Sequence, residues 1–244
     1  MLLAIDVGNT RVKGAVFKQD ILLGSFIFES DSIQKEISKI LIQYPEITDL
    51  MVSSVGKLSE NDFSDFQNRL KIHFITHQSS FPFINEYKTP ATLGIDRMIL
   101  ASGAVLRYPK QNRLIIDAGT AITYDFIDEK DKYWGGAISA GINLRYKALN
   151  DYTAKLPLLE KPEEDYFIGE TTAESIHSGV INGVIFEIEG YINSLKGKFD
   201  NFIIILTGGD ADFLAKRLKS TIFANRNFLL ESLNDLYQYQ HYND

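Results

Sequence analysis

The sequence predicts an α/β protein of two similarly ordered halves with a cleft between them, and three observations carry that reading. An apolar run, Leu2-Leu3-Ala4-Ile5, leads into Asp6-Val7-Gly8-Asn9-Thr10, and a second apolar run follows to Phe17. A partial copy recurs at Leu114-Ile115-Ile116-Asp117-Ala118-Gly119-Thr120, again followed by a strand-like run to Ile127. Each half then passes from strand spacing to helical spacing. The alternative is one domain with a single mixed sheet.

In order, residues 2–7 and 12–17 read as strands about the Gly8-Asn9 turn, and 21–28 as a third strand after Gln19-Asp20. Asp31-Ser32 offers an N-cap to Ile33, Ile37, Ile40 and Leu41, a helix that stops before Pro45. A strand at 49–53, a helix at 60–70 and a strand at 72–75 follow. Residues 78–93 read as a loop, with Phe81-Pro82-Phe83 and Thr89-Pro90, and 96–108 as a helix. The second half restarts with strands at 113–117, 121–127 and 133–139. Ala173, Ile176, Val180, Val184, Ile188, Ile192 and Leu195 then recur at three and four, the spacing of a long helix. A buried strand at 202–206 meets the turn Thr207-Gly208-Gly209-Asp210 and a further helix. The boundary falls at Pro109-Lys110-Gln111-Asn112, so the expected domains are 1–111 and 112–244. The tail after 225 carries no recognisable motif.

Composition narrows the chemistry. A chain of 244 residues with 45% apolar content has material for a substantial core. Its net charge of −7 argues against a nucleic-acid partner, so an anion site must draw on local cations and backbone amides. The absence of cysteine removes disulfides, thiolate metal sites and cysteine nucleophiles. Asp6 interrupts the first apolar run, so no signal peptide is expected, and no stretch reaches the roughly 20 apolar residues of a membrane span. A cytoplasmic location is expected.

The hairpin from Asp6 to Lys13 suits a phosphorylated ligand. Its turn presents N–H groups and the Thr10 hydroxyl, Lys13 supplies a point charge, and Asp6 is placed to hold a cation. Taken alone, an Asp-x-Gly turn is also an ordinary connection between strands. The copy at Asp117–Thr120 strengthens the ligand reading by supplying a second loop. Asp96 beside Arg97 suits a carboxylate kept ionised next to an anion-binding cation, or else a helix cap.

Taken in order, these segments resemble the type III pantothenate kinases, within the acetate-kinase/sugar-kinase/actin superfamily. The likeness rests on Asp6-Val7-Gly8-Asn9-Thr10-Arg11-Val12-Lys13, on Tyr87 and Pro90 before Leu93-Gly94-Ile95-Asp96-Arg97, and on Asp117-Ala118-Gly119-Thr120. Gly135-Gly136-Ala137-Ile138-Ser139-Ala140-Gly141, Ala148-Leu149 through Pro157, Gly169-Glu170-Thr171-Thr172, Gly179 and Thr207–Asp210 complete it, from residue 2 to about 218. The family usually has proline where Ala140 stands, which bears on local rigidity more than on chemistry.

The resemblance implies two duplicated ribonuclease-H-like (actin-like ATPase) domains with an ATP cleft between them. It implies ATP-dependent phosphorylation of pantothenate, with Asp96 as proton acceptor and Tyr87, Gly94, Ile95, Arg97 and Thr172 on the substrate. Asp6, Val7, Gly8, Asn9, Thr10, Arg11, Val12, Lys13 and Thr120 are the implied ATP contacts. Asp6 is the implied magnesium residue, and Asp117 the residue for a monovalent cation, K+ or NH4+. A homodimer is implied, and Gly179-x-x-x-Gly183 is a candidate close contact for it. Packing for Tyr87 and helix capping for Thr172 are the plainer alternatives. His73 and His77 lack a third ligand in sequence, and His177 reads as a packed histidine. Another kinase or phosphatase of the superfamily, or a non-catalytic regulatory relative, is the alternative function.

Overall fold

β1 (Leu2–Val7) is buried along its whole length, which explains its unbroken apolar run. It pairs antiparallel with β2 (Arg11–Lys18) and parallel with β4 (Asp49–Ser54). β3 (Ile21–Glu29) and β5 (Lys71–Phe74) complete a sheet of order β3-β2-β1-β4-β5. The computed structural model describes residues 1–8, 11–54, 60–199 and 202–242.

Leu3, Ile5 and Val7 share a core with Ile33, Ile37, Ile40 and Leu41 of α1 (Ile33–Gln43). Successive side chains of a strand point to opposite faces, so Ala4 and Asp6 point away from that core. β6 (Ile84–Asn85) and α2 (Ile95–Arg107) follow, and α2 contacts β4.

The second sheet repeats the plan. β7 (Asn112–Ala118), β8 (Ala121–Ile127) and β9 (Lys132–Ala140) are followed by α3 (Ile142–Asp151) and α4 (Thr172–Lys196). β10 (Phe202–Thr207), α5 (Ala211–Ala215) and β11 (Phe223–Ala224) come next. The strand order β9-β8-β7-β10-β11 matches that of the first sheet, and β6 adds to the outer edge of β9. In each sheet the first strand pairs antiparallel with the second and parallel with the fourth. This rules out the single mixed sheet. Ile176, Val180, Val184, Ile188 and Ile192 place one stripe of α4 in a core with Leu114, Ile116 and Leu206.

α6 (Phe228–Tyr242) is the last described element. Contacts group Met1–Pro109, Asp131–Tyr133 and Asn227–Asp244 into one unit, and Lys110–Lys130 with Trp134–Arg226 into the other. Beside the expected 1–111 and 112–244, the first break falls at Pro109/Lys110, and Asp131–Tyr133 and the final helix group with the first unit. The physical reason is apolar: Phe228, Leu229, Leu230, Leu233 and Leu236 are buried, and α6 packs on α2 and β1. The two helices approach so closely that a Cβ on Gly103 would stand 2.0 Å from Ser232 Oγ. Arg107 ties them further, with Nε 2.5 Å from Asp235 Oδ2 and an ion pair to Glu231.

Two local expectations need correction. Residues 60–70 do not make an α-helix; Glu60–Phe66 is a 3-10 segment. Asn61, Asp62, Ser64 and Asp65 compete for backbone hydrogen bonds, while Phe63 and Phe66 anchor the segment in the α1 core. The hydroxyl of Ser32 does not cap α1 but bonds to the Glu29 carbonyl at 2.9 Å, and Ser30–Ser32 forms a 3-10 turn. Among the described residues no helix is long and apolar enough to cross a membrane.

Candidate active site

Register brings three polar residues together at the end of β1. Asp6 lies opposite Lys13 on β2 and opposite Ser53 on β4, so all three side chains share one face of the sheet. Asp6 is only 7% exposed, and its Oδ1 has no hydrogen-bond partner among the described residues. Burial pushes its carboxyl up to about 6; the neighbouring Asp96 carboxylate adds to the rise, while Lys13 and the Ser53 hydroxyl oppose it. A buried acid with an open oxygen, facing a second acid, fits a hard divalent cation such as magnesium. Ser53 carried no signal in the sequence, because only the parallel pairing sets it beside Asp6.

Gly8 N–H donates to the Arg11 carbonyl at 3.1 Å, and a Cβ on Gly8 would lie 3.1 Å from that oxygen. Asn9 and Thr10 lie outside the described residues. Val7 and Val12 are fully buried, so only their backbone is available to a ligand. Arg11 is exposed beside Glu29, at 3.9 Å across the β2–β3 pair.

Asp96 sits in the first turn of α2, one residue inside the helix, and Gly94 occupies the N-cap position. Asp96 Oδ1 accepts from the Arg97 N–H at 2.9 Å. A Cβ on Gly94 would stand 2.4 Å from that oxygen, so the glycine leaves the carboxylate its place. His77 Nε2 donates to the Leu93 carbonyl at 2.9 Å and pins the residue before this glycine. Ile95 is half-buried beside it. The Arg97 guanidinium is buried, 5.8 Å from the centroid of the Tyr87 ring. Tyr87 in turn packs edge-on against Tyr133 at 6.1 Å. The structure therefore brings Tyr87 and Arg97 together across ten residues of loop and helix, with Tyr133 as a support the sequence did not reveal.

In the second unit Asp117 occupies the place Asp6 holds in the first. It lies opposite Thr123 of β8 and Thr207 of β10. Thr123 Oγ1 is buried without a hydrogen-bond partner among the described residues. Gly208 follows β10 with φ +94°, and a Cβ there would meet Asp117 Oδ1 at 2.4 Å and the Ala118 carbonyl at 2.5 Å. Gly141 closes on the neighbouring loop: its N–H donates to the Thr120 carbonyl at 3.0 Å, and a Cβ would lie 2.2 Å from the Gly119 carbonyl. Thr120 itself is exposed. Carboxylate, carbonyl and hydroxyl oxygens crowd this turn, the donor set an alkali cation takes. Asp210, at the end of the turn, is ion-paired with Lys161.

Thr172 opens α4 but does not cap it. Thr171 is the cap, its hydroxyl accepting from Glu174 N–H at 3.2 Å. Thr172 instead lines a cavity of about 1030 Å³ together with Glu170, Tyr152, Arg145 and Gly179. Arg145 Nη2 lies 2.5 Å from Glu187 Oε2, and its Nε donates to the carbonyl of Ala140 at 2.8 Å. This second bond steadies the residue that stands where the family usually has proline. Burial works against the charge of Glu187, but bonds from Arg145, Tyr124 and Ser139 hold its carboxyl below the usual range. His177 is packed, 2.9 Å from the Tyr146 hydroxyl and stacked on Tyr166.

Solved structures give the class. A Campylobacter jejuni candidate Baf family transcriptional activator superposes with a TM-score of 0.65 at 20% identity, covering 99% of this chain and 100% of that one. A Listeria monocytogenes candidate N-acetylmannosamine kinase does so with a TM-score of 0.56 at 15% identity, covering 100% and 99%. The fold is the duplicated ribonuclease-H-like architecture of actin-like ATPases and sugar kinases. Sequence narrows this to one family. The family model for type III pantothenate kinase matches residues 2–194, and the type III pantothenate kinase of Flavobacterium johnsoniae is 59% identical over 244 residues, 100% of both chains. The chain belongs to the type III pantothenate kinase family.

Proposed function

We propose that this chain transfers the γ-phosphoryl group of ATP to the primary hydroxyl of pantothenate in the cytoplasm, giving 4'-phosphopantothenate, the first step of coenzyme A biosynthesis. The observation that carries the reading is the buried Asp6 carboxylate, open at one oxygen and within the electrostatic reach of Asp96 and Lys13. Family membership supports it.

Phosphoryl transfer to an alcohol asks the protein for positioning and charge more than for covalent chemistry. Asp96 orients the pantothenate hydroxyl and accepts its proton as the O–P bond forms. Arg97, buried against Tyr87, holds an anionic or polar part of the acceptor, with Gly94 and Ile95 shaping the wall; Thr172, on the cavity of the second unit, is proposed separately as a substrate contact. Lys13 and the backbone from Asp6 to Val12 hold the phosphates of ATP, and Thr120 of the second unit is proposed separately as a phosphate contact. Asp6 would hold magnesium, which when bound neutralises phosphate charge. Asp117 would hold a monovalent cation, K+ or NH4+, supported by the oxygen-rich turn and the open Thr123 hydroxyl.

A homodimer completes the proposal. Phe167, Ile168 and Phe186 are exposed apolar side chains on and before α4, and the space above Gly179 is open. Gly183, by contrast, faces Arg145, whose Nη1 would lie 3.6 Å from a Cβ there.

Pantothenate-dependent ADP release, measured with and without K+, tests the reading. Release that needs pantothenate and rises with K+ is expected. ATP binding without such release would favour a regulatory relative, and release with sugars in place of pantothenate would favour another kinase of the superfamily.

A further inference from the structure

The sequence pairs His73 with His77 at a spacing that suggests a metal, but the structure separates them. His77 is committed to the Leu93 carbonyl, whereas His73 finds two other partners. His73 Nε2 lies 3.0 Å from Asp49 Oδ1, and its ring meets that of His241 edge-on at 4.7 Å. Asp49 opens β4, His73 lies on the edge strand β5, and His241 is in the last turn of α6. One ligand atom from each of the three falls within 4.8 Å of the other two.

We propose that Asp49, His73 and His241 bind a divalent transition-metal ion of the Zn2+ type, apart from the kinase residues. The surrounding hydrogen bonds are those of a prepared ligand set. His241 Nδ1 lies 2.9 Å from the Tyr237 carbonyl, which only accepts, so Nδ1 carries the proton and Nε2 presents its lone pair. Asp49 accepts from the Thr48 hydroxyl, at 2.7 Å to Oδ2, and from the Tyr237 side chain, which orient the carboxylate, while Oδ1 lies toward His73. Two imidazoles and a carboxylate suit zinc or its neighbours, whereas magnesium takes oxygen donors. Zinc ligands at about 2.0–2.1 Å stand about 3.4 Å apart. Asp49 and His73, 3.0 Å apart, stand inside that spacing, and the ligand atom of the exposed His241, within 4.8 Å of both, completes the set by a short approach. The bound ion would staple the end of α6 to the edge of the first sheet.

The test is Zn2+ binding to the full chain in excess Mg2+, which fills oxygen-rich sites, with Co2+ as a spectroscopic probe. The expected result is one Zn2+ per chain and Co2+ d–d bands that report nitrogen ligands. His241→Gln and His73→Gln should each weaken binding by at least about tenfold, while His77→Gln should not. His241→Gln should also lose the rise in melting temperature that Zn2+ gives the parent, with kinase activity unchanged. Equal Zn2+ affinity in the parent and His241→Gln, or no binding by the parent at micromolar Zn2+, would overturn the proposal.

Discussion

Gly94 and Asp96 are matched across a single intervening residue: a methyl group on Gly94 would stand 2.4 Å from Asp96 Oδ1, inside any normal contact. The carboxylate keeps its position, held also by the Arg97 N–H, because the residue before the helix has no side chain. Gly94 is thus a positioning residue for the proposed proton acceptor. Gly94→Ala should leave the fold and the KM for ATP near the parent values while lowering kcat by about ten- to a hundredfold, since misplacement of a reacting group by about 1 Å is worth that much. Asp96→Asn should lose about 10²–10⁴-fold, the usual worth of a positioned base. Steady-state ADP release checks both, and a folded Asp96→Asn enzyme with parental turnover would remove Asp96 from the chemistry.

The raised Asp6 carboxyl makes a prediction about stability. Its folded value stands near 6 against 3.8 for the free group. The stability this acid lends the fold is fully present below pH 3.8 and lost as pH climbs through 6, after which the penalty is constant. The full difference corresponds to about 3 kcal/mol. In metal-free protein, Asp6→Asn should therefore be more resistant to urea than the parent, and by a wider margin at pH 8 than at pH 5. The same variant should lose kinase activity, because it gives up the proposed magnesium ligand. An unfolding difference that does not change with pH would show that Asp6 is not the group responsible.

Gly208 makes the corresponding prediction for the second unit. Its φ of +94° is strained for any side chain, and a Cβ would press on both Asp117 and the Ala118 carbonyl. Gly208→Ala should destabilise the protein by more than about 1–3 kcal/mol. Asp117→Asn leaves the backbone alone and should instead flatten the response to K+. Comparing the two by thermal unfolding and by K+ titration separates the structural role of the turn from its proposed cation role.

α6 yields a prediction about folding alone. Leu233 is completely buried in the face that packs on α2 and β1. Leu233→Ala should destabilise by about 2–5 kcal/mol. Denaturant unfolding at fixed pH measures this directly, and a smaller loss would mean that α6 adds little to the first unit.

Much of the fold was legible because its signals are local. β1, β4, β7 and β10 are apolar runs bounded by turn residues, and α1, α2 and α4 show apolar residues at three and four. At 60–70 Phe63 and Phe66 carry helical spacing, while the polar residues around them favour the tighter turns the structure shows. α6 carries no motif, but Phe228, Leu229, Leu233, Leu236 and Tyr237 hold a helical stripe. The capping of α4 by Thr171 rather than Thr172 is a matter of one residue, decided by backbone geometry at the helix entrance.

By itself, the sequence determined that the chain is duplicated α/β, that its strand-end turns carry Asp6 and Asp117, and that Asp96-Arg97 opens a helix. These are properties of residue order, read from periodicity and turn chemistry over a few positions. Only the tertiary structure decided that Ser53 stands beside Asp6, that Gly208 backs Asp117 and that Tyr133 supports Tyr87. It also decided that the last helix returns to the first unit, bringing His241 to Asp49 and His73. Each of these follows from strand register or from burial of an apolar face, and both join residues far apart in the chain. No short window of sequence contains them.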